Sequence, residues 1–227
     1  MSIIHTRVPD FAIERAKSRR GGRLHAFESI NPRSTALLVV DMQNYFMQPG
    51  FPGEVEAARD IVPAVNRAAA AVRAKGGTVV WIQTSSNGAE HYWSVMHKHL
   101  STPKGDQARQ AGLKEGSQGY ALWSELDVQD SDLKVVKRSY SALIHGASPL
   151  EAELRGRGID TMLIGGTVTN VCCESTARDA MMLNFKVVML DDALAAKRPE
   201  AHVATLSSFI ENFGDVMTVD EMAGRLK

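Results

Sequence analysis

The chain has 227 residues, and its 26 basic and 26 acidic side chains balance to a formal net charge of zero. It is 44% hydrophobic and 23% charged, an ordinary composition for one globular α/β domain. Zero net charge argues against a nucleic-acid binder, no apolar run approaches the ~18 residues of a membrane span, and the N-terminus lacks a signal-peptide core, so a cytoplasmic location is expected.

Residues 1–34 read as an extended N-terminal arm with a short helical piece at Phe11–Ser18. Its basic cluster, Arg15, Lys17, Arg19, Arg20 and Arg23, reads as a solvated arm or a subunit contact. The domain proper is expected over 35–227. Thr35–Val40 (TALLVV) is a continuous apolar run ending at Asp41 and predicts a buried strand. Glu54–Lys75 has apolar residues at helical spacing (Ile61, Val65, Ala68, Ala69, Val72) and stops at Gly76-Gly77. Thr78–Thr84 is a second strand. Residues 85–130 are polar and irregular, too long for a plain connection, which points to a site or an interface.

Leu133–Lys137 (LKVVK) is a third strand, Pro149–Arg157 a helix, and Thr161–Gly165 a fourth strand. A helix over Cys172–Asn184, a strand over Lys186–Leu190, a helix over Glu200–Asn212, a strand at Val216–Thr218 and a helix over Val219–Leu226 complete the pattern. Apolar strands alternating with helices indicate a parallel sheet covered on both faces. Ligands collect beyond the carboxyl ends of such strands.

Asp41 ends the first strand, Gln83 and Thr84 the second, and Lys137 the third, while the Thr167–Cys172 loop follows the fourth. A carboxylate, an ammonium and a thiol on one sheet edge form a candidate catalytic constellation. The chain's only two cysteines, Cys172 and Cys173, stand where strand turns to helix. A first-turn cysteine lies near the positive end of the helix dipole, so a lowered thiol pKa is expected. The bland readings stand beside this one: a buried apolar cysteine, an Asp used as a turn residue, a solvated Lys, a solvated Glu174–Arg178 pair, and surface histidines at His91, His97 and His99. Two cysteines make neither a disulfide framework nor a usual zinc site.

The segments LLVVDMQNYF (37–46), VVKRSYSAL (135–143) and GGTVTNVCCESTARDA (165–180) resemble, in order, the three signature stretches of the isochorismatase-like cysteine hydrolases. The resemblance implies a doubly wound six-stranded parallel sheet of order 3-2-1-4-5-6, with Asp41, Lys137 and Cys172 as catalytic triad. It implies that Cys172 is the nucleophile, Asp41 its base, and Lys137 the group that orients and stabilises both. It places a non-proline cis peptide between Val168 and Thr169, and an oxyanion hole at the Thr169 and Cys172 N–H groups. Cys173 is read as packing.

The stretch after the second strand, WIQTSSNGAEHYW, lacks the metal-binding Asp-x-His of nicotinamidase-type members, so no metal and no cofactor are expected. KRSYSA, with Tyr140, is similar to ureidoacrylate and N-carbamoylsarcosine amidohydrolases, although Phe46 stands where the ureidoacrylate enzyme has Tyr. The expected substrate is a small carbamoyl or ureido amide, cleaved through a thioester. Candidate substrate contacts are Phe46, Gln83, Tyr140, Val168, Tyr92 and Trp93, with Asn87 and His91 as weaker ones. The resemblance also implies a homo-oligomer, a dimer or tetramer in which the 85–130 loop closes its own or a neighbour's pocket. Rival readings are a nicotinamidase- or maleamate-type amidase, a non-catalytic binding module on the same fold, and a redox or flavin protein.

Overall fold

The computed structural model describes residues 8–227. Six parallel strands form one sheet in the order β3-β2-β1-β4-β5-β6. They are β1 (Thr35–Val40), β2 (Thr78–Thr84), β3 (Leu133–Lys137), β4 (Thr161–Thr167), β5 (Lys186–Ala195) and β6 (Asp215–Met217). All six residues of β1 are buried, as a central strand with two covered faces requires.

Successive side chains alternate between faces. Leu38, Val40, Val80, Ile82 and Val135 therefore join one core, and Leu37, Val39, Val79 and Trp81 join the other. The first core is roofed by α1 (Asp10–Arg19), α7 (Leu150–Gly156), α8 (Glu174–Met182) and α9 (Pro199–Asn212). The second is roofed by α3 (Val62–Ala74) and α10 (Val219–Arg225). A short α2 (Asn44–Met47) follows Asp41 closely.

Several expected boundaries move, each for a local reason. The Glu54–Lys75 helix begins only at Val62, because Pro63 suits a helix's first turn and the chain before it makes a separate 3₁₀ turn at Glu56–Ala58. The helix expected from Cys172 splits into a π turn, Thr169–Cys173, and α8. Strand β4 runs two residues beyond Gly165. Its Gly166 has a φ of +108°, and a Cβ there would lie 2.2 Å from the Val40 carbonyl oxygen. Only glycine permits that approach of β4 to β1. Strand β5 extends to Ala195 through a register shift opposite Ile164 and Gly166.

The 85–130 segment is not wholly irregular. It carries α4 (Ala89–Tyr92), α5 (Ser94–His99) and α6 (Pro103–Gly112). The last is capped by Thr102, whose hydroxyl accepts from the Gly105 N–H at 3.1 Å.

The segment read as an arm is packed onto the domain over residues 8–34; residues 1–7 lie outside the described residues. Val8, Ala12, Ile13 and Ala16 enter the first core, and α1 lies against α9. The basic cluster works largely within the chain. Arg20 pairs with the fully buried Asp215 at 2.5 Å and donates to the carbonyls of Leu24, Ile210 and Gly214. Arg15 pairs with Glu211 at 3.0 Å. Among the described residues no helix is long and apolar enough to cross a membrane.

Candidate active site

Strand register brings the charged groups together. Val40 pairs with Ile82 and Gly166, and Thr84 pairs with Lys137. Thr84 and Lys137 continue the apolar rows Val80–Ile82 and Val135 on the same face, so the core ends in polar chemistry at the carboxyl edge. Asp41 adopts a φ of +53°, a region Asp tolerates better than bulkier residues. Its N–H still donates to the Ile82 carbonyl at 2.9 Å.

Asp41 and Lys137 are both fully buried, with Nζ 2.9 Å from Oδ2. Lys137 also donates to Thr84 Oγ1 at 2.6 Å and to the Ser139 carbonyl at 3.0 Å. The Thr84 hydroxyl in turn donates to Asp41 Oδ1 at 2.9 Å. Gln43 clamps Thr84 from behind: its Oε1 accepts from the Thr84 N–H at 2.7 Å and its Nε2 donates to the Thr84 carbonyl at 3.0 Å. Such satisfaction is what lets two charges persist without water. Asp41 Oδ2 has the ammonium at ion-pair distance but accepts no well-aligned hydrogen bond from a described residue. That oxygen keeps a lone pair for a neighbouring proton donor.

The neighbour is Cys172, 4% exposed in the π turn, whose ionisation both charged groups influence. Burial, followed by the Asp41 charge, pushes the thiol up to about 12, against the opposing pull of Lys137 and Arg109. The expected lowering is therefore reversed. A helix end contributes only about 0.3–1 kcal/mol, and desolvating a thiolate beside a carboxylate outweighs it. Burial also acts to lower Lys137, but the nearby Asp41 and Cys172 charges outweigh it and hold the ammonium above its ordinary value. Cys173 is fully buried in the first core, with its thiol pushed well up by burial.

The cis peptide joins Thr167 to Val168, one residue before the expected position. Thr169 is fully buried and its hydroxyl meets His202 Nδ1 at 3.0 Å, while His202 Nε2 meets Asp191 Oδ1 at 2.9 Å. This buried Asp191–His202–Thr169 chain ties the turn carrying Cys172 to β5 and α9. Of the turn, it is Val168, Val171 and Cys172 that face the cavity, not Thr169.

That cavity holds about 330 Å³, and Cys172 shares its wall with Tyr45, Phe46, Arg109, Tyr140 and Val168. Of the expected substrate contacts, Phe46, Tyr140 and Val168 are thus brought to the thiol. Trp93 stands behind, its ring 4.4 Å from that of Tyr140. Gln83 is buried and spends its amide on the Tyr120 carbonyl at 2.9 Å, so it does not line the cavity. Tyr92 is 70% exposed and His91 is exposed, and neither lines the cavity; Asn87 hydrogen-bonds Glu115 and Arg138 instead. His97, read as a surface group, is buried and paired with Asp106. Glu174 and Arg178 are half-buried and linked to Thr205 and Ser208 of α9. Among the described residues, no group of three or more His, Cys, Asp or Glu side chains is arranged to hold a metal ion.

A family model described as the isochorismatase domain matches residues 35–221. The chain belongs to the isochorismatase-like cysteine hydrolase family. A cysteine hydrolase from Pseudomonas syringae pv. phaseolicola 1448A is similar at 30% identity, with 86% of this chain and 93% of that one covered and a TM-score of 0.74. Nicotinamidase from Bacillus subtilis is similar at 25% identity, covering 81% and 99%, with a TM-score of 0.66. N-Carbamoylsarcosine amidase from Thermoplasma acidophilum, at 24% identity, 82% and 97% coverage and a TM-score of 0.65, shares the fold. Gln43, Arg109 and His202, which pattern reading passed over, brace or line this pocket, and Thr84, read only as a polar strand end, joins the buried Asp41–Lys137 pair. Gln43 had a signal in DMQ and Thr84 in its strand-end position; Arg109 and His202 had none, since only folding brings Arg109 to the Cys172 cavity and His202 to Thr169.

Proposed function

We propose that this hydrolase is a metal-independent amidohydrolase that cleaves the C–N bond of a small carbamoyl, ureido or related amide through a thioester on Cys172. The observation that carries the reading is a thiol set against a buried carboxylate–ammonium pair on the wall of a small cavity. In the resting site the sulfur is a thiol, so attack and proton loss go together. Asp41 Oδ2 takes the proton as Sγ bonds to the amide carbon. The carbonyl oxygen becomes an oxyanion against backbone N–H groups of the 168–172 turn, where Val168 and Cys172 face the cavity.

The intermediate collapses, the C–N bond breaks, and protonated Asp41 returns its proton to the leaving amine. Water then attacks the thioester with Asp41 again as base, and sulfur leaves and is reprotonated. Lys137 balances the charge of the Asp41 carboxylate and holds it in place. A ureido substrate yields a carbamate, which loses carbon dioxide. Support for an amide comes from the two similar proteins whose names state amidase activity; nicotinamidase- or maleamate-type substrates are the second reading.

The test is ammonia release from a panel of ureido acids, carbamoyl amino acids, nicotinamide and maleamate. Cys172→Ser and Cys172→Ala are expected to abolish turnover, and Cys173→Ser to leave it nearly unchanged. Comparable activity in all three variants rejects the assignment.

A further inference from the structure

The cavity beside Cys172 has an unbalanced charge. Its lining includes Arg109 and Lys197 but no Asp or Glu. Lys197 is exposed at the mouth, with Nζ 3.4 Å from the Pro52 carbonyl. Arg109 is half-buried on α6. Its guanidinium lies 5.6 Å from the Trp93 ring centroid and near the Tyr45 phenol, whose pKa burial raises against the opposing pull of Arg109. Tyr45 is itself held firmly, because Gly53 and Gly112 leave room for its ring: a Cβ on either would fall within 2.5 Å of it.

Arg20, Arg73 and Arg178 each reach a carboxylate within 2.6 Å. Among the described residues no carboxylate comes within ion-pair distance of Arg109. The acid on its own helix, Asp106, is engaged by His97 and by the Gln110 amide. A guanidinium taken partly out of water without a counter-ion is a costly arrangement, only partly relieved by aromatic faces. Its forked donors match a carboxylate in two parallel hydrogen bonds. The rest of the wall is uncharged, with apolar Phe46, Val168 and Val171 beside the hydroxyls of Ser101, Thr102 and Tyr140.

We propose that Arg109, assisted by Lys197, is a carboxylate-binding subsite, and that the substrate is a short acid with its carboxylate on Arg109 and its amide carbon at Cys172. At about 30 Å³ per water-sized group, the 330 Å³ cavity accepts roughly ten non-hydrogen atoms, which fits an amido or ureido acid of about three to five carbons. The inference rests on the amidohydrolase reading for the reacting end only; the anion end stands on Arg109.

The experiment separates the two. Calorimetry on the Cys172→Ala protein measures binding of succinamate and N-carbamoylglycine against neutral succinamide, with and without Arg109→Gln. The acids are expected to bind about 10–100-fold more tightly than succinamide, and Arg109→Gln to remove most of that advantage. Arg109→Lys should retain part of it. The exposed Lys197→Gln, which tests the subsite without touching α6, should weaken the acids by about two- to fivefold while sparing succinamide. Equal binding of acid and neutral amide, equal effects of Arg109→Gln on both, or no binding of either acid overturns the proposal. Ammonia release by the protein with Cys172 intact is measured on the same compounds. Arg109-dependent binding of acids without any turnover upholds the subsite and rejects the amidohydrolase reading.

Discussion

Replacing Lys137 by Met tests the physical heart of the site. Met keeps much of the length and apolar bulk but removes the charge. In the native chain Nζ lies 2.9 Å from Asp41 Oδ2, and both side chains are fully buried. The substitution leaves Asp41 as a buried carboxylate without its cation and deprives the Ser139 carbonyl and Thr84 hydroxyl of a donor. Breaking a buried pair from one side costs about 3–5 kcal/mol. Removing both charges in Asp41→Asn/Lys137→Met avoids the stranded ion, so the double variant should be more stable than Lys137→Met by at least about 2 kcal/mol. Urea unfolding at neutral pH measures this, with unchanged m-values as the condition for comparing midpoints. A loss of less than about 1 kcal/mol in Lys137→Met, or strictly additive single substitutions, would refute the view that the two charges sustain each other in a dry site. Both variants should be inactive, which by itself decides nothing about stability.

Two further outcomes are expected. With the folded Cys172 thiol pushed up to about 12, against about 8.5 for an ordinary thiol, its contribution to stability is intact below the ordinary value and is lost as pH rises toward the folded one. Each such thiol costs up to about 1.4 kcal/mol per pH unit in that window. Unfolding free energies between pH 9 and 11 should therefore fall less steeply in Cys172→Ala, and iodoacetamide modification of Cys172 should still accelerate through pH 10; a plateau near the ordinary thiol pKa contradicts this. His202→Ala removes the link between Asp191 and Thr169, so it should lower stability by about 1–3 kcal/mol and slow turnover by loosening the Cys172 turn. Partial recovery of kcat in His202→Gln supports a positioning role, and full activity in His202→Ala excludes it.

What pattern reading captured and what it missed follow one physical line. Thr35–Val40 and Thr161–Gly165 announce themselves because a strand buried on both faces must be apolar throughout. A polar residue closing such a run, as Asp41 and Lys137 do, stands out against it. That Gly166 rests on Val40 was not legible, because the contact forms only when β4 pairs with β1. The 85–130 stretch hid three helices because short, polar, poorly periodic helices take their stability from packing, which a local window does not contain.

The sequence alone therefore determined the alternating architecture and the sheet edge on which Asp41 and Lys137 fall, since these depend on local periodicity and on residue type. Tertiary structure alone decided the direction of the thiol's ionisation, the Gln43–Thr84 clamp and the arrival of Arg109 and His202. Desolvation, charge proximity and side-chain contact are distances through space, and segments about 30 to 130 residues apart acquire them only when the sheet has paired and its helices have closed over it.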